Sequence, residues 1–121
     1  MEPTTILVVD DEPDILRLVE VVLAEGDWRV VCASDGEEAL ALARRERPGA
    51  ILLDSRMPRG GGEETLARLK DDPATRATPV ILMTALARSS NSEVPPGYAG
   101  VIPKPFDPLT LSDTIRSILG T

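Results

Sequence analysis

Five residues of this chain could do chemistry together: Asp10, Asp11, Asp54, Thr84 and Lys104. Each stands at the end of a short apolar run, at residues 5–9, 50–53, 79–83 and 101–102. If those runs are neighbouring strands, three carboxylates converge at one sheet edge. At ~4 Å and an effective dielectric near ~20, each pair then repels by about 4 kcal/mol. Something must offset that. The chain has no histidine and a single cysteine, so the donors are oxygens, and a hard cation, Mg2+ or Mn2+, is the natural answer. A lysine ammonium and a threonine hydroxyl nearby suit an anion bound to that metal, a set built for phosphoryl chemistry. Taken singly, each residue has a plainer explanation. Aspartate after a strand is a common turn residue or helix cap, threonine a common N-cap, and lysine a solvated surface charge. Asp54 fits such an explanation least, because no simple capping pattern follows it. What sets the group apart is the joint arrival of the right residue types from four strands.

The elements that must position them follow from hydrophobic patterning. Residues 5–9 form a continuous β-branched run, the pattern of a strand buried on both faces. Pro13 suits a first helical position, and Ile15, Leu16, Leu18, Val19, Val22 and Leu23 recur at helical spacing up to Gly26. Residues 29–33 read as a second strand. Ser34 with Glu37 three residues later predicts a capping box, opening a helix with Ala39, Leu40 and Leu42 inward and Pro48-Gly49 as its stop. A third strand spans 50–54. Residues 57–62 predict a loop, with Gly60, Gly61 and Gly62 as a flexible turn, and a helix holding Leu66 and Leu69 runs to about Lys70. Strand four covers 79–83 and strand five 101–102. Asp107 is the expected cap of a last helix, with Pro108 in its first turn and Leu111, Ile115, Ile118 and Leu119 inside. Between Thr84 and Lys104, residues 87–97 hold Ser, Asn and Pro where a helix should be, so the fourth crossover is expected to be short or irregular. Strands alternating with helices imply an α/β fold: one parallel sheet with helices on both faces and right-handed crossovers. In such sheets ligands bind beyond the carboxyl ends of the strands, where these residues stand.

Composition narrows the function further. At 121 residues the chain suits one domain, 1–121. Its net charge of −7 argues against direct nucleic-acid binding and favours cations or basic partners. Aromatics are 2% of the chain (Trp28, Tyr98 and Phe106), too few for base-stacking platforms or a flavin pocket. Absence of histidine removes Ser-His-Asp and Cys-His catalysis, His-ligated zinc, and a phosphohistidine on this chain itself. Cys32 alone permits no internal disulfide, which fits a reducing compartment; Cys32 and Trp28 are read as packing residues. No secretory leader pattern and no apolar run of about 18 residues is present, so a cytoplasmic chain without membrane contact is expected.

The motifs Val-Val-Asp-Asp-Glu (8–12), Leu-Leu-Asp-Ser-Arg-Met-Pro (52–58), Met-Thr-Ala (83–85) and Pro-Lys-Pro-Phe (103–106) together resemble a response-regulator receiver domain of two-component signalling, over essentially the whole chain. The resemblance implies a flavodoxin-like strand order of 2-1-3-4-5, which sets Asp10 and Asp11 beside Asp54. It implies that Asp54 accepts a phosphoryl group from a phosphohistidine on a histidine kinase or phosphotransfer protein. Asp11, Asp54 and the carbonyl of Arg56 would bind Mg2+, with Asp10 reaching it directly or through water. Thr84 and Lys104 would hold the phosphoryl oxygens, and the Lys104–Pro105 bond would be cis, bringing the ammonium within reach of Asp54. Such a domain catalyses only its own phosphorylation and dephosphorylation, and it switches binding to a downstream protein.

Three departures from the family pattern stand out. Val101 occupies the place, three residues before the lysine, where relatives usually carry an aromatic that moves with the threonine; Tyr98 is three residues too early for it. The loop after Met57-Pro58 keeps only the last glycine of the usual Gly-x-Asp-Gly. The stretch from Thr84 to Lys104 is short. These features leave room for an interaction module that signals without phosphorylation. A Mg2+-dependent phosphohydrolase using Asp54 covalently is less favoured, since Arg56 stands where such enzymes usually place a second acid.

Overall fold

The computed structural model describes residues 3–57, 61–86 and 93–120. Five strands, β1 (Thr5–Val9), β2 (Arg29–Ala33), β3 (Ala50–Asp54), β4 (Val80–Thr84) and β5 (Gly100–Pro103), form one parallel sheet in the order β2-β1-β3-β4-β5. Helices α1 (Pro13–Ala24), α2 (Gly36–Glu46), α3 (Gly61–Asp71) and α4 (Leu111–Leu119) cover both faces. Alternation along the strands makes two cores. Ile6, Val8, Leu52, Ile81 and Met83 pack against Val19 and Leu23 of α1 and Leu111 and Ile115 of α4. Leu7, Val9, Ile51, Leu53 and Val80 pack against Ala39, Leu40 and Ala43 of α2 and Leu69 of α3. The central strands are buried on both sides, which explains why they read as unbroken apolar runs. Each fully buried aliphatic side chain contributes roughly 1.5–3 kcal/mol, so aliphatic residues carry most of the core, with Trp28 its one buried aromatic.

Several local expectations shift by a residue or more. The N-cap is Asp35, not Ser34 boxed with Glu37: the Glu38 N–H donates to Asp35 Oδ1 at 2.8 Å, and Glu38 Oε1 accepts from the N–H of Ser34, just before the cap, at 2.7 Å. β2 ends at Ala33 as expected, and α2 starts one residue later than the sequence pattern suggests, at Gly36. Ala43 takes the fully buried place expected of Leu42, which is only half-buried. On α1, Leu18 is 41% exposed, leaving Val19 and Leu23 as the buried pair. Asp107 caps a turn rather than a helix: its Oδ1 accepts from the Leu109 N–H at 2.9 Å, and α4 begins only at Leu111, after Thr110. Between β4 and β5 no described residue is helical, and Pro96-Gly97 form a turn; the serine-rich part of this segment, 87–92, lies outside the described residues. No helix among the described residues is long and apolar enough to cross a membrane.

Candidate functional site

Strand register puts the reactive residues at one level. Val9 pairs with Leu53, Asp54 with Met83, and Thr84 with Pro103, so Asp10, Asp54, Thr84 and Lys104 all emerge within a residue of the same sheet edge. Backbone bonds carry the pairing just past the strands: Asp10 N–H to Ala33 O at 3.1 Å, Ser55 N–H to Met83 O at 3.0 Å, and Lys104 N–H to Thr84 O at 3.0 Å. The Lys104–Pro105 bond is cis, as the resemblance implies.

Lys104 is the hub. Its Nζ donates to Asp10 Oδ2 at 2.9 Å and to Asp54 Oδ1 at 3.0 Å, with Glu12 Oε1 at 3.8 Å. Asp10 is fully buried and Asp54 nearly so. The carboxylate repulsion read from the sequence is therefore offset in part by the protein's own ammonium, not by a metal alone. Burial drags the Lys104 ammonium down, but the hydrogen bonds it donates to Asp10 and Asp54 outweigh this and hold its pKa above the usual lysine value. Burial pushes Asp10 above the usual aspartate value, against the hydrogen bonds it accepts from Lys104 and from the Glu12 N–H; nearby Asp54 adds to the rise.

Asp10 also supplies the plainer role foreseen for it: its Oδ1 accepts from the Glu12 N–H at 3.0 Å and shapes the turn into α1. Glu12 is the N-cap of α1, without a side-chain cap bond. Its carboxylate, missed as a site residue although the run Asp10-Asp11-Glu12 announces it, groups with Asp10 and Asp11, with oxygens within 4.8 Å of one another. Asp11 is exposed, and Asp54 joins the group through Lys104. Four carboxylates against one ammonium leave three negative charges in excess, in an all-oxygen donor set. These residues fit a hard divalent cation. Arg56 lies exposed in the turn beyond Asp54.

Thr84 is buried, and its Oγ1 accepts from the Leu86 N–H at 3.1 Å, leaving the hydroxyl proton available to another acceptor. It also lines a cavity of about 710 Å³ that reaches Gly62, Leu82, Tyr98 and Val101. The glycine run is not a simple flexible turn. Gly61, at φ 65°, and Gly62 open α3, and a Cβ on Gly62 would meet the Asp54 carbonyl oxygen at 2.8 Å and Ser55 Cα at 3.3 Å. Gly62 thus lets the start of α3 lie against the backbone of Asp54; Pro58, Arg59 and Gly60 lie outside the described residues.

Comparison with known proteins agrees with this geometry. The chain is 42% identical over 115 residues to the Response regulator PleD of Caulobacter vibrioides, covering 93% of this chain and 25% of that protein. It is 37% identical over 121 residues to the Probable transcriptional regulator ycf27 of Porphyridium aerugineum, covering 98% of this chain and 49% of that protein. The chain thus spans a quarter to a half of the length of these relatives. Among solved structures it is similar to chemotaxis protein CheY4 of Vibrio cholerae, with 30% identity, a TM-score of 0.83, and coverage of 96% and 98% of the two chains. It is also similar to the receiver domain of a sensor histidine kinase from Pseudomonas aeruginosa, with 29% identity, a TM-score of 0.85, and coverage of 98% and 99%. That structure has a magnesium ion coordinated in its active site cleft. Residues 6–116 match the Response regulator receiver domain family, and with the sheet order and the acidic edge this shows that the chain belongs to that family.

Proposed function

We propose that residues 1–121 act as a phosphoacceptor switch, in which Asp54 takes a phosphoryl group from a phosphohistidine on a histidine kinase or phosphotransfer protein. The observation that carries this reading is the Lys104 ammonium, 3.0 Å from Asp54 Oδ1 and 2.9 Å from Asp10 Oδ2 at the end of the central strands. In the transfer, a carboxylate oxygen of Asp54 attacks phosphorus as the P–N bond breaks. The bonding pair leaves with the donor imidazole, which takes up a proton. Lys104 is placed to stabilise charge on the phosphoryl oxygens, and the Thr84 hydroxyl to donate to one of them. Asp10, Asp11 and Asp54, with the Arg56 carbonyl, would hold Mg2+, and Glu12 adds negative charge beside them. When bound, Mg2+ neutralises negative charge that these carboxylates bring to the incoming phosphate.

Incubation with acetyl phosphate and Mg2+, followed by intact-mass measurement, tests the reading. Wild type should gain one phosphoryl group transiently, and Asp54→Asn should gain none. An Asp54→Asn chain modified to the wild-type level overturns the assignment. A wild type that never gains mass marks an interaction module, and catalytic turnover of the donor marks a hydrolase.

A further inference from the structure

On the α2/α3 side of the sheet, apolar surface continues beyond the packed core. Leu82 of β4 and Val101 of β5 are cross-strand neighbours, and both are buried. Neither belongs to either of the two clusters that the helices cover. No described residue between β4 and β5 is helical, and the pair instead lines the cavity of about 710 Å³, together with Tyr98. That volume suits a small molecule, for which sites run to roughly 300–1,000 Å³. The wall is preformed. The Ala99 N–H donates to Val80 O at 2.8 Å, and the Tyr98 N–H to Pro95 O at 3.3 Å. Gly97, at φ 89°, lies so close to α3 that a Cβ there would meet Leu66 Cδ2 at 3.0 Å. The connection that carries Tyr98 is thus tied to β4 and seated against α3.

Charge decides what such a cavity takes. Among the described residues lining it, the exposed carboxylates of Glu63 and Glu93 outnumber one exposed cation, Arg56. Burial, and then the Glu63 carboxylate, push the Tyr98 phenol above its usual pKa, so the ring stays neutral. The chain as a whole carries a net charge of −7. An anion is disfavoured at this mouth and an ammonium favoured, while the tyrosine face accepts a flat ring or a cation. We propose that the cavity binds a small aromatic amine, its ring between Tyr98 and the Leu82–Val101 pair and its ammonium beside Glu63 and Glu93. This site goes beyond the phosphoacceptor reading and does not rest on it.

Calorimetric titration of the whole chain with tryptamine, in saturating Mg2+ so that the acidic edge is occupied, tests the site. Tryptamine should bind in the high micromolar range, and indole-3-acetate at least about tenfold more weakly. No tryptamine binding up to several millimolar overturns the site, and equal affinity for the two compounds overturns the amine as its ligand. Backbone amide spectra locate the contact without any substitution. Tryptamine should move the amides of Gly62, Tyr98 and Val101. Changes centred on Asp10, Asp11 and Glu12 mark plain charge pairing and overturn the proposal. Glu63→Gln with Glu93→Gln should weaken tryptamine by about two- to fivefold and leave neutral indole unaffected; unchanged tryptamine binding overturns the acidic mouth. Val101→Phe fills the cavity and, in a chain whose melt shows it folded, should abolish binding of both tryptamine and indole. Wild-type affinity in that folded variant overturns the cavity as the site.

Discussion

At the scale of single residues, the site depends on one ammonium between two buried carboxylates. Removing it leaves Asp10 and Asp54 facing each other without a counter-charge, and breaking a buried pair in this way is destabilising by several kcal/mol. Lys104→Ala should therefore lose about 3 kcal/mol in a denaturant melt at neutral pH without metal, and Mg2+ should restore part of the loss. In wild type, Mg2+ at a hundredfold excess over its dissociation constant should add about 2.7 kcal/mol, an increment that Asp11→Ala reduces. The sign with pH follows from the raised Lys104 pKa. The folded chain holds this proton more tightly than the unfolded one, so the stabilisation is complete below about 10.4 and fades as pH rises through the higher folded value. Alkaline melts of wild type and Lys104→Ala, compared in the absence of metal, should converge above that range.

Two contacts between elements can be tested separately. α3 starts against the carbonyl of Asp54, and only a glycine fits at Gly62, because the clashing neighbours are backbone atoms. Gly62→Ala should destabilise by about 1–3 kcal/mol and slow phosphorylation of Asp54, since relief requires moving the β3–α3 turn. At their far ends, α2 and α3 are tied by Arg44 and Asp72. Hydrogen bonds from the Ala74 N–H, then from Arg44, hold the Asp72 carboxyl below the usual aspartate range. A lowered pKa contributes stability above about 3.9 that is lost as pH falls through the lower folded value. Asp72→Asn should thus flatten the acid limb of the urea midpoint against pH. Added salt should shrink the difference, since the Arg44 side chain is 56% exposed.

Across the whole molecule, protection should be uneven. β1, β3 and β4 are buried on both faces, whereas residues 93–97 are mostly exposed and pack little apolar surface. Amide exchange should be fastest there and slowest in the three central strands; equal protection would show that the β4–β5 connection belongs to the core. The opposite end of the sheet is closed by Trp28. Its Nε1 donates to Ser112 Oγ at 2.8 Å, and Arg116 stacks over the ring at 5.2 Å while donating to the Gly26 carbonyl at 2.7 Å. Arg116→Ala should cost roughly 1–2 kcal/mol and expose the single tryptophan to quenchers, because it removes both the stacking and the partner of the half-buried Gly26 carbonyl.

Apolar run length already determined the parallel α/β fold, and the residues ending each run singled out Asp10, Asp11, Asp54, Thr84 and Lys104 as the candidate site. A strand buried on both faces can hardly be written any other way, and a charged residue at its end has little choice of exit. Element starts were less legible. Ser34 or Asp35, and Asp107 or Thr110, are all competent caps, and the choice depends on where the preceding strand releases the chain. Three features arose only in three dimensions. Lys104 spans Asp10 and Asp54, which lie 94 and 50 residues away along the chain, so no local pattern records the pair. Gly62 looked like slack until the Asp54 carbonyl proved to be its neighbour. Tyr98 stood at the wrong spacing from Lys104 to pair with Thr84, yet the turn at Gly97 and the small Val101 place both side chains on one cavity. Spacing along a chain predicts neighbours within an element; neighbours across the sheet are set by register and by how each connection folds back.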